Sequence, residues 1–317
     1  MSVDERAPAV APAVAPAVAG TVSPPAPARR QSRGPAEAVV VLAPVSLTLA
    51  MGLWGIRRQN TLWGDESVTV QVAHRDLSQI WRTAQHIDLV HALYYAVMHE
   101  LFGLFGGGLL TLRLPSVLAM SAAASGVGLL ALRLAGPRVG LLAGPVFALL
   151  PQVQKYAQEG RSYAMVCALV TWATYALVVS VPQRGRWRSR RRWAVYGSTM
   201  LLACLLHEFA VLALVAHGVT LIVSRAPRRV LRAWSTAAAV VVAGLSPLVI
   251  VSAGQSAQVS WIGGPVRPDY FVVVAVVGVV CAVALLRGRG PVGALEARGP
   301  VGSVGPLEAR GSLGSRG

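Results

Sequence analysis

Five clusters of polar and aromatic residues interrupt a mostly apolar chain of 317 residues. The first is L-W-G-D-E-S at 62–67, where Asp65 and Glu66 place two carboxylates side by side. Such a pair suits a general base together with a metal or hydroxyl ligand, if bulk water is kept away. A solvated loop in which Asp65 caps a helix accounts for the same residues, so both interpretations stand.

The second cluster is D-L-V-H-A-L-Y-Y at 88–95. Asp88 and His91 are three residues apart and share one face of a helix that begins there. This spacing suits a metal-binding pair or an acid/base relay. Alternatively, Asp88 caps the helix and His91 lies among the lipid headgroups, as interfacial aromatic residues do.

The third cluster is Q-K-Y-A-Q-E-G-R-S-Y at 154–163. It holds Lys155, the only lysine of the chain, and Arg161, with Glu159 between them. These cations suit a phosphate, since the arginine fork can bind it through two parallel hydrogen bonds. A Glu159–Arg161 contact or a lipid headgroup contact is the alternative.

Two further clusters lie towards the end of the chain. L-L-H-E-F at 205–209 places His207 and Glu208 at the tip of a short apolar hairpin, where ionisable groups are costly unless paired or functional. Q-V-S-W-I at 258–262 contains Trp261, which lines a cleft or lies at the membrane interface.

The composition predicts an all-α polytopic membrane protein. Hydrophobic residues make up 54% of the chain and charged residues 13%, whereas roughly 25% charged residues is usual in a soluble domain. A soluble globular protein and a disordered chain are therefore excluded. The net charge of +16 matters through the position of each charge, and we expect no nucleic-acid partner. The three cysteines show no paired spacing, which indicates neither a disulfide nor a metal cluster.

The two ends differ in composition from the centre. Residues 1–36 are rich in Ala, Pro and Arg and predict a disordered cytoplasmic arm without a signal peptide. Residues 287–317 form a low-complexity tail rich in Gly and Arg. The membrane domain is predicted over 37–286.

Apolar runs predict about eight transmembrane helices, given that about 20 residues cross a bilayer. They are 37–56, 114–134, 138–153, 161–181, 194–206, 209–224, 233–252 and 270–286. Arginines before residue 34 and the basic run at 184–192 are both expected inside, which requires an even number of crossings between them. The run 91–110 is therefore predicted to be a juxtamembrane or re-entrant helix in an outer loop, 57–113.

In their order along the chain, these motifs resemble the GT-C membrane glycosyltransferases. The likeness is to bacterial relatives of the protein O-mannosyltransferases and of the lipid A aminoarabinose transferase, grouped as glycosyltransferase family 39. The motifs are W-G-D-E, D-L-V-H-A-L-Y-Y, L-R-L-P-S at 112–116, Y-A-Q-E-G-R-S-Y, H-E-F and Q-V-S-W-I, between Leu53 and Trp261. Many relatives read D-x-H-P-P where this chain has Asp88 to Ala92, and many continue with further spans, so the chain is expected to be C-terminally short.

The resemblance implies transfer of a mannose-like sugar from a polyprenyl-phosphate carrier to a glycan, lipid or protein acceptor on the outer side of the cell membrane. It implies Asp65 as the general base with Glu66 beside it, and Arg161, Lys155 and Arg113 as ligands of the donor phosphate. The remaining candidates for substrate binding or acid/base chemistry are Asp88, His91, Glu159, His207, Glu208 and Trp261. No cofactor is assigned; a divalent metal stays open, with Glu66, His91 and His207 as candidate ligands.

Two other classes of function fit the same residues. Acids and arginines in a membrane cavity also suit a transporter or a lipid flippase, although the two halves of the chain show no matching internal repeat. A truncated, non-catalytic relative that binds the carrier lipid is the other alternative. The chain has no Walker A loop and no Rossmann fingerprint, as expected for an enzyme whose donor arrives from the bilayer.

Overall fold

A computed structural model describes residues 35–57, 60–182 and 186–255, with side chains described throughout except at 35, 36 and 186–188. Several predictions concern residues outside these stretches. They are the arm as far as residue 34, Trp261 with its cluster, the span 270–286 and the tail 287–317.

Every regular element of the described residues is helical, in agreement with the predicted fold class. The α-helices are α1 (Pro35–Gly55), α2 (Gly64–Ala73), α3 (Leu77–His86), α4 (Ala92–Phe105), α5 (Leu109–Ala135), α6 (Pro137–Leu149), α7 (Pro151–Ala157), α8 (Tyr163–Ser180), α9 (Arg186–Leu206), α10 (Val211–Val223) and α11 (Arg228–Ala253). Short 3-10 helices cover Leu89–His91 and Glu208–Ala210.

Four of these helices are long and apolar enough to cross a membrane: α1, α5, α8 and α11. The expectation of about eight spans is therefore wrong for the described residues. The run 138–153 is broken because Pro151 keeps Leu150 extended (ψ 130°), so that α6 ends at Leu149. The run 209–224 is divided into a 3-10 turn and the 13-residue α10. The run 194–206 is the second part of α9, whose first turns are rich in arginine.

The run 91–110 also divides, into α4 and the start of α5. Helix α4 has 14 residues, a length of about 21 Å, which is short of the roughly 30 Å hydrocarbon core. It ends at Gly106, whose φ of 81° lies in the left-handed region that favours glycine.

Helix α5 is the centre of the bundle and packs against α1, α6 and α8. Small residues permit this close approach: a Cβ added at Gly128 would lie 2.9 Å from the Val40 carbonyl oxygen of α1. One added at Gly144 of α6 would lie 3.1 Å from the Ala124 carbonyl oxygen. Close backbone contact of this kind drives helix association within membranes.

The segment between α1 and α5 folds into three helices over one end of the bundle. Asp76 begins α3 by accepting a 2.8 Å hydrogen bond from the Gln79 amide, the usual role of aspartate at a helix start. Tyr94 and Met98 of α4 are fully buried and share an apolar cluster with Leu112 of α5 and Leu206 of α9. The loop is thereby fixed on the ends of the long helices.

Helix ends that are distant in sequence meet at this end of the bundle. The Gln255 amide after α11 donates to the Ala84 carbonyl (2.9 Å), and its oxygen accepts from the Leu89 amide (3.2 Å). Gln158 after α7 donates to the Met51 carbonyl of α1 (3.2 Å). Four of the five polar clusters therefore gather at a single end.

Candidate functional site

The first turn of α2 carries both carboxylates of the first cluster. Acidic residues are favourable there because the helix dipole is positive at its N-terminus. The two side chains differ in exposure: Asp65 is half exposed (49%), whereas Glu66 is buried (1%). One carboxylate is therefore accessible to solvent, and the adjacent one lies inside the protein.

Glu66 forms a buried ion pair with Arg113 of α5. The guanidinium binds both carboxylate oxygens, with Nε 2.8 Å from Oε1 and Nη2 2.7 Å from Oε2. The backbone amides of Gly160 (2.8 Å) and Trp63 (3.3 Å) donate to the same carboxylate. Burial acts to raise the pKa of Glu66, but these hydrogen bonds outweigh it and hold the pKa below its usual range.

Arg113 uses its remaining donors on the protein backbone. Nη1 donates to the Ile56 carbonyl and Nη2 to the Thr61 carbonyl, each at 2.9 Å. The pair thus ties α5 to α2, to the chain after α1 and to the turn before α8. The polar atoms of Glu66 and Arg113 are engaged with each other and the backbone, which favours a structural role. The catalytic, metal-binding and phosphate-binding roles suggested by the sequence stay predictions.

Arg161, in the turn between α7 and α8, is the second buried cation, with a side chain 7% exposed. Its Nη1 atom lies 3.5 Å from the Asp65 carbonyl, the Thr69 hydroxyl and the Tyr95 hydroxyl. Its Nη2 atom lies 3.3 Å from His91 Nε2 and 3.8 Å from an Asp65 carboxylate oxygen. Residues of the first and second clusters of the sequence therefore converge on the guanidinium of the third.

These contacts of Arg161 are long, whereas charge-assisted N–H···O bonds are usually about 2.7–2.9 Å. Among the described residues, Arg161 Nε has no hydrogen-bond partner. A buried guanidinium held only by long contacts retains the capacity to bind an anion. The half-exposed carboxylate of Asp65 lies beside this guanidinium, where it can contact a molecule that reacts with a bound anion.

Asp88 and His91 are hydrogen-bonded to each other, and His91 contacts Arg161. His91 Nδ1 lies 2.6 Å from an Asp88 oxygen, and the Tyr95 hydroxyl donates to the other oxygen. With Nδ1–H donating to the carboxylate, His91 Nε2 accepts from Arg161, which fixes the tautomer. Asp88 adopts the left-handed region (φ 61°), a conformation that aspartate tolerates.

The pKa of Asp88 reflects this network. Burial acts to raise it, but the hydrogen bonds from His91 and from the Tyr95 hydroxyl, with the charge of Arg161, prevail, so the pKa lies below its ordinary value. Asp88 is therefore ionised at neutral pH and orients His91. This arrangement fits the relay interpretation better than the alternative in which Asp88 caps the helix and His91 lies among the lipid headgroups, since the Asp88 side chain makes no capping hydrogen bond.

Lys155 and Glu159 both contact Trp63. The Lys155 ammonium is 5.9 Å from the Trp63 ring centre and 5.5 Å from that of Tyr156, within cation–π range. The Trp63 side chain hydrogen-bonds Glu159, which is buried (6% exposed). Burial raises the pKa of Glu159 despite the opposing charge of Lys155.

His207 joins the cluster from the end of α9, where the backbone becomes extended. Its ring centre is 6.1 Å from that of His91, 5.8 Å from Tyr163 and 5.6 Å from the exposed Phe209. Burial, with the charge of Arg161, lowers the pKa of His207, which favours the neutral imidazole. Glu208 instead accepts from Ser252 of α11 (3.2 Å), a contact between helix ends.

The metal candidates are not arranged as a metal site. Across the described stretches, no three His, Cys, Asp or Glu side chains are grouped so that they could hold an ion. Glu66 is engaged by Arg113, and His91 by Asp88. The donor set of these described residues therefore does not fit a divalent metal.

Three residues of the site had no role in the sequence interpretation. Thr69 lies one helical turn after Asp65, Tyr95 one turn after His91, and Gly160 directly before Arg161. The i to i+4 spacing is a signal for the first two. A Cβ at Gly160 would lie 2.4 Å from Leu112 Cγ, so its requirement for glycine is visible only in the folded chain.

Comparison with known proteins gives no assignment: no family model, no curated protein and no solved structure matches the chain. The likeness to the GT-C glycosyltransferases stays a resemblance of short motifs. The function is therefore inferred from the chemistry and positions of the side chains.

Proposed function

We propose that the chain is a membrane glycosyltransferase that moves a sugar from a polyprenyl-phosphate carrier to an acceptor hydroxyl on the extracytoplasmic side. The observation that carries this proposal is the buried, weakly contacted guanidinium of Arg161 beside the half-exposed carboxylate of Asp65. An anion-binding group and a base at one site are what transfer from a phosphate-linked donor requires.

The reaction assigns one task to each group. Asp65 takes the proton of the acceptor hydroxyl. The oxygen of that hydroxyl forms a bond to the anomeric carbon of the donor sugar. The bond between that carbon and the phosphate oxygen breaks, and its electron pair leaves with the polyprenyl phosphate. Arg161 stabilises the charge that develops on this leaving group, an effect that is strongest where water is excluded.

The surrounding side chains suit a sugar bound to a lipid. Trp63, Tyr156, Tyr163 and Phe209 offer aromatic faces beside the charged groups, and apolar faces of sugar rings stack on such surfaces. Four long apolar helices are compatible with a bilayer position, from which a lipid-linked donor would arrive. Lys155, held over two of the rings, adds positive charge near the donor phosphate.

The test is transfer of labelled mannose from polyprenyl-phosphate mannose by the purified protein, with donor binding titrated separately. Arg161→Ala should weaken donor binding about 10- to 100-fold, the loss of one or more charge-assisted hydrogen bonds. Arg161→Lys should restore part of it, since a point charge cannot reproduce the fork. Arg82→Ala, exposed on α3, is the matched control and should bind the donor normally.

Asp65→Asn separates catalysis from binding. Donor affinity should be retained while transfer falls about 10²- to 10⁴-fold, the usual contribution of a positioned base. Unchanged transfer in this variant would remove Asp65 from the mechanism. Normal donor binding without transfer by the wild-type protein would instead identify a non-catalytic binder of the carrier lipid.

A further inference from the structure

A groove opens between α8 and α9 at the end of the bundle opposite the candidate site. It has a volume of about 470 Å³. Trp172, Tyr175 and Val179 line it from α8, and Arg191, Arg192 and Val195 line it from α9. Its lining residues on α8, from Trp172 to Val179, lie roughly 14–24 Å along the helix from Tyr163 at 1.5 Å per residue, so its occupation and sugar transfer can be measured independently.

The aromatic wall of this groove is fixed in place. The Trp172 indole donates to the Ala122 carbonyl of α5 at 3.0 Å. Its ring packs edge-on against Tyr175, with ring centres 5.6 Å apart. Trp172 lies near the middle of α8, and Tyr175 lies closer to the end that the arginines of α9 flank.

The charges at the mouth of the groove are all of one sign. Arg192 donates to the Val179 carbonyl (2.7 Å), which caps the end of α8, and Arg191 is exposed beside it. Neither α8 nor α9 contains an acidic residue, whereas the first two turns of α9 carry five arginines. Cations at a helix N-terminus oppose the helix dipole and repel one another, and an anion at the groove mouth relieves both effects.

The part of the groove beyond these arginines is mostly apolar. It continues along α9 from Arg191 to Thr199, a rise of about 12 Å at 1.5 Å per residue. Val195 in its wall is half exposed (51%). A phosphate with an attached acyl chain matches both the charge at the mouth and the apolar wall.

We propose that this α8/α9 groove binds one anionic phospholipid of the bilayer, with its phosphate at Arg191 and Arg192 and an acyl chain along Trp172 and Val195. Basic pockets between membrane helices on the cytoplasmic side bind anionic headgroups in this way. The proposal needs the membrane position of α8 but not the glycosyltransferase activity.

The test is native mass spectrometry of the full chain in mild detergent, titrated with phosphatidylglycerol or with phosphatidylcholine. The wild-type protein should retain one phosphatidylglycerol in preference to phosphatidylcholine. Arg191→Gln should weaken phosphatidylglycerol binding about 5-fold, the usual contribution of one arginine near a charged headgroup. Arg133→Gln, an exposed arginine outside the groove, is the matched control and should not.

A variant that fills the groove without changing charge completes the test. Val195→Trp keeps every arginine but should remove the retained phosphatidylglycerol, because its side chain occupies the place of the acyl chain. Equal retention of both lipids by the wild-type protein would overturn the proposal. So would equal weakening by Arg133→Gln, or undiminished binding by Val195→Trp, since either would indicate general attraction to positive charge.

Discussion

Two arginines of similar burial perform different tasks at the candidate site. Arg113 makes four hydrogen bonds of 2.7–2.9 Å to a carboxylate and two carbonyls. Arg161 makes only contacts of 3.3 Å or longer and leaves Nε without a partner among the described residues. Hydrogen-bond geometry therefore separates the arginine that holds the fold from the one available to an anion, a distinction that burial alone does not make.

Removing one member of the Glu66–Arg113 pair should destabilise the protein. Glu66→Gln leaves the Arg113 guanidinium buried without its counter-ion, which typically costs about 3–5 kcal/mol. Thermal unfolding of the purified protein would measure the loss. Asp65→Asn is the neighbouring control and should unfold nearly as the wild type does, because its side chain is half exposed.

The double variant Glu66→Gln/Arg113→Met tests whether the loss comes from the unpaired charge. It should recover part of the stability, since no buried charge then remains without a partner. Wild-type stability in Glu66→Gln would contradict the structural role and return Glu66 to the group of catalytic candidates.

The turn between α7 and α8 is the element that joins both arginine sites. Gly160 donates its amide to Glu66, and the next residue is Arg161. Gly160→Ala places a methyl group 2.4 Å from Leu112 Cγ, and Leu112 is fully buried, so the turn must shift. We expect a loss of about 1–3 kcal/mol in unfolding free energy, together with weaker donor binding, because Arg161 moves with the turn.

Gly103→Ala is the matched control for this substitution. Gly103 lies within α4, is exposed, and has no atom within 4 Å of an added Cβ. Alanine should be neutral there or stabilise the helix by up to about 1 kcal/mol. Equal unfolding temperatures for the two variants would show that the turn does not depend on glycine.

The sequence predicted which segments form the site better than which contacts they make. Asp65, His91, Arg161 and His207 lie in segments chosen for their polar residues within an apolar chain, and the fold brings these segments together. The pairing of Glu66 with Arg113, 47 residues later, was not predictable because it depends on tertiary packing rather than local spacing. The number of spans was overestimated because hydropathy does not register the break at Pro151 or the turn before α10.

At the scale of the whole molecule, the polar clusters and the arginine-rich turns lie at opposite ends of the helices. Most arginines of the described residues lie at or beside the α5–α6, α8–α9 and α10–α11 connections, whereas Asp65, Asp88 and Glu159 lie at the other end with a minority of the arginines. The hydrogen bond from Gln255 to Ala84 requires the end of α11 and the loop after α1 to face the same side. Because cytoplasmic loops are enriched in arginine, we expect the arginine end to face the cytoplasm and the candidate site to face outwards.

Single cysteines at the two ends would test this orientation. In a background with Cys167, Cys204 and Cys281 replaced by alanine, Gln85→Cys marks α3 and Val139→Cys marks the first turn of α6; both positions are exposed. A membrane-impermeant maleimide should label Gln85→Cys in intact cells but Val139→Cys only after permeabilisation. Labelling of both from one side would contradict the alternation of the helices. The reverse pattern would place Asp65 and Arg161 on the cytoplasmic side, where an extracytoplasmic acceptor could not reach them. That result would contradict both the predicted topology and the proposed transfer reaction.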